Sequence, residues 1–136
     1  MRFMMLVISK EHESTQPDQP PDAKAVAEMM KYEGDFASAG VLLALDELKP
    51  PAAGVRVSFA AGKPKVTDGP FAEAKECVGG YWMIQVKSKE EAIEWAKRAP
   101  MGDNEIIEVR QVQEMEDFPA DVRAAAAGFE ELQGRK

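Results

Sequence analysis

The most regular signal along the chain is a run of apolar positions from Phe3 to Ile8. It is short enough for a strand and apolar on both faces, with Phe3, Met5 and Val7 on one and Met4, Leu6 and Ile8 on the other. Such a run implies a sheet covered on both sides. Ser9 to Pro21 is polar and carries prolines, the composition of an exposed loop. A helix is predicted to open at Pro21-Asp22, with proline in its first turn and an acid at its positive end. Ala25, Met29, Tyr32 and Phe36 form its inner stripe, Val26 and Met30 widen it, and Gly40 ends it. Val41 to Leu45 reads as the second strand, closed by Pro50-Pro51.

Val55 to Phe59 alternates apolar and polar, the pattern of a strand with one wet face. Ala60 to Pro64, with Gly62, is a hairpin turn that returns through Lys65-Val66-Thr67. Tyr81 to Val86 is the next strand, with Tyr81, Met83 and Gln85 opposed to Trp82, Ile84 and Val86. Ser88-Lys89-Glu90-Glu91 has capping-box spacing and opens a second helix. Ala92, Ile93, Ala96 and Ala99 are its inner stripe, and Pro100 closes it. Ile106 to Val112 is the last strand. After Gln113 comes an acidic link, then an alanine-rich helix from Asp121 to Leu132 whose large apolar anchors are Val122, Phe129 and Leu132.

Strand, helix, strand, hairpin, strand, helix, strand is the split βαβ order of a ferredoxin-like α+β domain with an inserted hairpin. Right-handed crossovers put both helices on one face of the sheet. Two strands are nevertheless apolar on both faces, which leaves a patch larger than soluble monomers tolerate. A two-fold homodimer that packs the uncovered faces together resolves the conflict and encloses a cavity between the sheets.

Composition narrows the function classes. The net charge of −7 argues against nucleic acid and against docking on an anionic membrane. No apolar run approaches the roughly 18 residues of a membrane span. The apolar amino-terminal run is too short for a signal peptide and lacks a small-residue cleavage site, which points to the cytoplasm. The lone Cys77 fits a reducing compartment. One histidine and one cysteine cannot make a conventional zinc site. Neither a phosphate loop nor a dinucleotide fingerprint is present, so no cofactor is expected.

The candidate chemistry concentrates between Lys65 and Val86. Asp68, on a turn at a strand end, is the first choice for a general base, although Asp-Gly is also ordinary turn chemistry. Gly69, Pro70, Phe71, Glu73 and Tyr81 are the candidate ligand contacts, the first two also serving the backbone. Glu73 would pair with Asp68 as an acid/base couple or simply be solvated. Gly79-Gly80 signals a bulge or a close backbone approach. His12, in the loop after the first strand, is a second candidate for proton transfer. Cys77 has no activating neighbour in sequence and reads as an apolar filler.

T-D-G-P-F-A-E-A-K-E, G-G-Y-W-M-I-Q-V, E-W-A-K-R-A-P and I-E-V-R-Q-V together resemble the YCII-related family, and more narrowly its DGPF subgroup, named for Asp68-Gly69-Pro70-Phe71. A-G-V-L-L and L-K-P-P also match, and the resemblance covers roughly residues 2 to 118. It implies a dimeric α/β-barrel of ferredoxin-like subunits, with residues 1–113 as the domain and 114–136 as the acidic link and helix. Some relatives use a histidine near the start of the first helix with an aspartate; here that helix has no histidine, and Ala99-Pro100 stands where some relatives carry Asp-Pro. The DGPF subgroup is often associated with sigma factors. The expected function is therefore a small-molecule-binding or regulatory module, a homodimer with its ligand in the inter-subunit cavity. The alternative is a cofactor-free lyase, isomerase or hydrolase with Asp68 as base.

Overall fold

The computed structural model describes residues 1–9, 22–71 and 76–134. In chain order its main elements are β1 (Arg2–Ser9), α1 (Ala23–Ser38), β2 (Leu42–Glu47), β3 (Val55–Ala60), β4 (Lys63–Asp68), β5 (Cys77–Gln85), α2 (Lys89–Lys97), β6 (Glu105–Gln111), α3 (Ala120–Ala125) and α4 (Phe129–Leu132). Four strands form an antiparallel sheet in the order β2-β5-β1-β6. With the β3–β4 hairpin set aside, this order and the two helical crossovers are compatible with a ferredoxin-like fold.

Register explains which side chains are buried. Phe3 stands opposite Ile84, and Met5 opposite Trp82 and Val109. Phe3, Met5, Trp82 and Ile84 share one face, where Tyr32 and Phe36 of α1 and Ala92 and Trp95 of α2 complete the core. Tyr32 and Phe36 have ring centres 4.6 Å apart, and Phe36 and Trp95 4.5 Å apart. Each aromatic pair of this kind adds about 0.5–1.5 kcal/mol beyond the area it buries. Both helix starts follow the sequence: the Asp22 side chain accepts from the Lys24 N–H, and the Ser88 side chain from the Glu91 N–H. The other face of the sheet carries Met4, Leu6, Tyr81 and Met83, all half-buried.

The α1 stripe is narrower than expected. Tyr32 and Phe36 are buried and Met29 partly so, whereas Val26 is exposed and Met30 is 63% exposed. Conversely, Trp95 was not in the expected α2 stripe yet is core. The strand expected from Tyr81 begins at Cys77. The glycine pair is the reason: Val7 pairs with Gly80 but Ile8 with Val78, leaving Gly79 in a bulge. A Cβ on Gly80 would stand 2.9 Å from the Asp46 carbonyl oxygen, so β2 can approach only a glycine there. The alanine-rich helix is broken in two by Gly128, whose φ of +93° is left-handed. Val122, Phe129 and Leu132 are exposed.

Tyr32 joins the two helices, its hydroxyl donating to the Trp95 carbonyl at 2.7 Å. Burial pushes the Tyr32 hydroxyl above its ordinary value of about 10. The folded state thus keeps a proton that the unfolded chain loses. That contribution to stability is complete below about pH 10 and disappears as pH rises further. In Tyr32→Phe we expect about 1 kcal/mol less stability at neutral pH, since Arg98 N–H still serves the same carbonyl. We also expect a shallower alkaline loss, readable from urea midpoints at pH 7 and pH 11; unchanged alkaline slopes would refute the assignment.

Candidate functional site

Two regions collect the residues singled out by sequence. One is the turn after β4. Asp68, the last residue of β4, pairs with Val55, and the Gly69 N–H donates to the Gly54 carbonyl at 2.8 Å. Gly69 lies flat against the short 3-10 segment Pro51–Ala53. A Cβ at Gly69 would run into the Pro51 carbonyl oxygen and come within 2.8 Å of its carbon. The glycine is therefore demanded by a backbone-to-backbone approach. The following peptide bond to Pro70 is cis.

Phe71 turns back toward the hairpin, with the Arg56 guanidinium 4.0 Å from its ring centre. Phe71, Arg56, Lys49 and Cys77 border a cavity of about 320 Å³ at the hairpin base. Burial pushes the Cys77 thiol up, which keeps it protonated and weakens it as a nucleophile. Asp68 is exposed and lies outside this cavity.

The second region lies where one end of the sheet meets α1. Val7, Met29, Leu45 and Met101 give an apolar lining to a cavity of about 230 Å³. Tyr81 and Trp82 of β5 stand in its wall, and Glu33, Asp46, Glu47 and Glu105 supply carboxylates. The buried Trp82 indole N–H donates to Glu33 Oε2 at 2.8 Å. The Tyr81 hydroxyl donates to Asp46 Oδ2 at 2.8 Å, and that hydrogen bond pushes the Tyr81 hydroxyl up. The cavity thus offers acceptors, the Trp82 indole and an apolar floor; the Tyr81 ring projects to the opposite face of the sheet. The cavity has no lysine, arginine or histidine among its described lining residues.

The structure therefore separates the sequence candidates. Gly69, Pro70 and Phe71 lie at the hairpin base, while Tyr81 lies at the end of the sheet. His12 and Glu73 fall outside the described residues. No group of three or more histidine, cysteine or acidic side chains could hold a metal ion among the described residues. Sequence reasoning missed Glu33, Asp46 and Trp82 as cavity residues. Glu33 had a usable signal: it stands one turn after Met29, so a charge adjoins the inner apolar stripe of α1. Asp46 had none, because a carboxylate near a strand end normally reads as a solvated terminus.

Residues 1–116 match the family model of the YCII-related domain, a span that holds β1 to β6 together with α1 and α2. The chain is also similar to an uncharacterized protein of Rhizobium meliloti (strain 1021), at 28% identity over 97 residues, which is 71% of this chain and 78% of that protein.

Proposed function

The chain belongs to the YCII-related family, and from that premise we propose that it is a homodimeric small-molecule-binding module whose ligand occupies the cavity walled by Tyr81 and Trp82. The observation that carries this reading is the cavity itself. At about 230 Å³ it is a little below the usual ~300–1,000 Å³ of ligand pockets, which suits a small ligand. Its walls combine an apolar floor with fixed acceptors, the ordinary composition of such a site. The carboxylates favour a ligand that donates hydrogen bonds, a small primary amine first, and disfavour an acidic one. The Trp82 ring adds to the attraction for a cation.

The half-buried apolar side chains Met4, Leu6 and Met83, on the face away from α1 and α2, support packing against a second copy, as in a dimeric α/β-barrel. The D-G-P-F sequence at Asp68–Phe71 supports placement in the DGPF subgroup, and with it an accessory role beside a sigma factor. In the alternative reading Asp68 is a general base; within one chain it stands outside the cavity, so a substrate held there is not within its reach.

The test is a titration of ¹⁵N-labelled protein with benzylamine, agmatine and benzoate, followed at the Trp82 indole N–H. The expected result is a saturable shift of that resonance with the amines and none with benzoate, in both the native chain and Asp68→Ala. No saturable shift at Trp82 with any probe would sink the binding reading. Loss of the shift in Asp68→Ala would move the reading toward Asp68. Light scattering is expected to give twice the 14.9 kDa chain mass, and a monomer would remove the dimer.

A further inference from the structure

The cavity at the hairpin base differs in charge from the one at the end of the sheet. Its volume of about 320 Å³ lies within the usual ~300–1,000 Å³ of ligand pockets. Lys49 and Arg56 are its two cations, in a chain whose net charge is −7, and Glu76 is its single carboxylate. Among the described residues neither cation is in an ion pair.

Each wall of this cavity rests on fixed backbone. Arg56 belongs to β3 and pairs with Thr67, on the hairpin face opposite Val55, Val57 and Phe59. Its guanidinium lies 4.0 Å from the centre of the Phe71 ring. That contact steadies the cation and leaves its fork of N–H donors for a carboxylate, which the fork takes through two bonds. Lys49 follows Leu48, whose N–H donates to the Gly79 carbonyl at 2.8 Å and so ties this segment to the β5 bulge. Pro50 and Pro51 come next, with φ set by their rings. Their carbonyls accept from the Ala53 and Gly54 N–H groups at 2.9 Å. Walls formed before a ligand arrives lower the ordering cost of binding. Pro50, Pro51, Phe71 and Val78 give the cavity its apolar surface, and the protonated Cys77 thiol adds no charge.

We propose that this cavity binds a small monocarboxylate with a compact apolar body, its carboxylate met by Arg56 and Lys49 and its body lying against Phe71 and the two prolines. Two cations against one carboxylate leave one positive charge, which a single carboxylate matches and a doubly charged phosphate exceeds. An amine would meet like charges there. The apolar walls favour a ligand with a hydrocarbon body over an inorganic anion. This site and the Trp82 cavity share no lining residue, so neither reading depends on the other.

The test is a titration of the full ¹⁵N-labelled chain with benzoate, cyclohexanecarboxylate, benzylamine and inorganic phosphate, read at the Cys77 and Val78 amides. The expected result is a saturable shift of both amides with the two carboxylates, none with benzylamine, and weaker binding of phosphate than of benzoate. In Arg56→Gln and, separately, in Lys49→Gln, benzoate affinity is expected to fall about tenfold or more, the loss of one charge-assisted contact. Lys49 is exposed, so its variant keeps the fold and carries the test if Arg56→Gln loosens the hairpin. No saturable shift with either carboxylate would overturn the proposal. So would an equal response to benzylamine, tighter binding of phosphate than of benzoate, or an unchanged benzoate affinity in Lys49→Gln. The Trp82 indole N–H, visible in the same spectra, reports the other cavity separately, so failure at one site is told from failure at the other.

Discussion

Phe36→Ala is expected to lower stability by about 3–5 kcal/mol, the usual cost of emptying a buried aromatic site. Phe36 is fully buried, with ring contacts to Tyr32, Trp82 and Trp95. Its removal leaves a hole bounded by three large rings. Rings of that size cannot collapse into the gap without leaving their own rotamers. A domain of this length commonly has only about 5–15 kcal/mol in hand, so the variant stands close to the threshold of folding. The check is a urea titration, in which the midpoint falls while the slope is kept. A loss below about 1 kcal/mol would mean that the aromatic cluster is not the core.

Gly69→Ala is the second large effect, and its mechanism is different. The new Cβ meets the Pro51 backbone, which has no rotamer to yield. The turn and the Pro51–Ala53 segment must separate, and the Gly69–Gly54 hydrogen bond goes with them. Overpacking of about 1–3 kcal/mol together with a lost hydrogen bond of about 1 kcal/mol gives a loss of roughly 2–4 kcal/mol. Gly79→Ala is the control, since a Cβ there meets nothing within 4 Å; its effect should stay within about 0.5 kcal/mol. Equal losses in the two variants, or fast-exchanging protons at Gly69 in the native protein, would contradict this account. The D-G-P-F turn, whatever else it does, anchors the root of the hairpin.

The strands of the main sheet were legible because their chemistry is local. Alternation at Tyr81–Val86 and the doubled apolar run at Phe3–Ile8 specify which side chains go inward, and the burial of Phe3, Met5, Trp82 and Ile84 follows. Ser88 announced its helix start through capping spacing, and Asp22 through the preference for an acid at the positive end of a helix; the structure makes both the N-caps. What was not legible depends on contacts between distant segments. Trp95 is core because α2 crosses over Phe36, which no spacing within α2 reveals. Val26 and Met30 are exposed and take no part in the core cluster. The cavity escaped notice for the same reason as Trp95: Glu33 and Trp82 are 49 positions apart and meet only when α1 lies on β5. The motif that stood out in sequence proved to sit at the hairpin base, and the residues with a fixed hydrogen-bond network in a pocket were inconspicuous.

The two margins of the four-stranded sheet differ from its middle. β2 carries an irregular register between Leu42 and Ala44 and ends in Asp46 and Glu47, while β6 presents Glu105, Glu108 and Arg110. A bulge twists a margin away from a would-be neighbour, and charged side chains make a flat strand-to-strand approach costly. Open-ended growth, in which chain after chain adds a strand to the last, is thereby discouraged at both ends. The exposed apolar side chains gather instead on the hairpin, where Phe59, Val66, Val55 and Val57 stand open. Concentrated solutions should accordingly stay clear where an unguarded sheet of the same hydrophobicity would form fibrils.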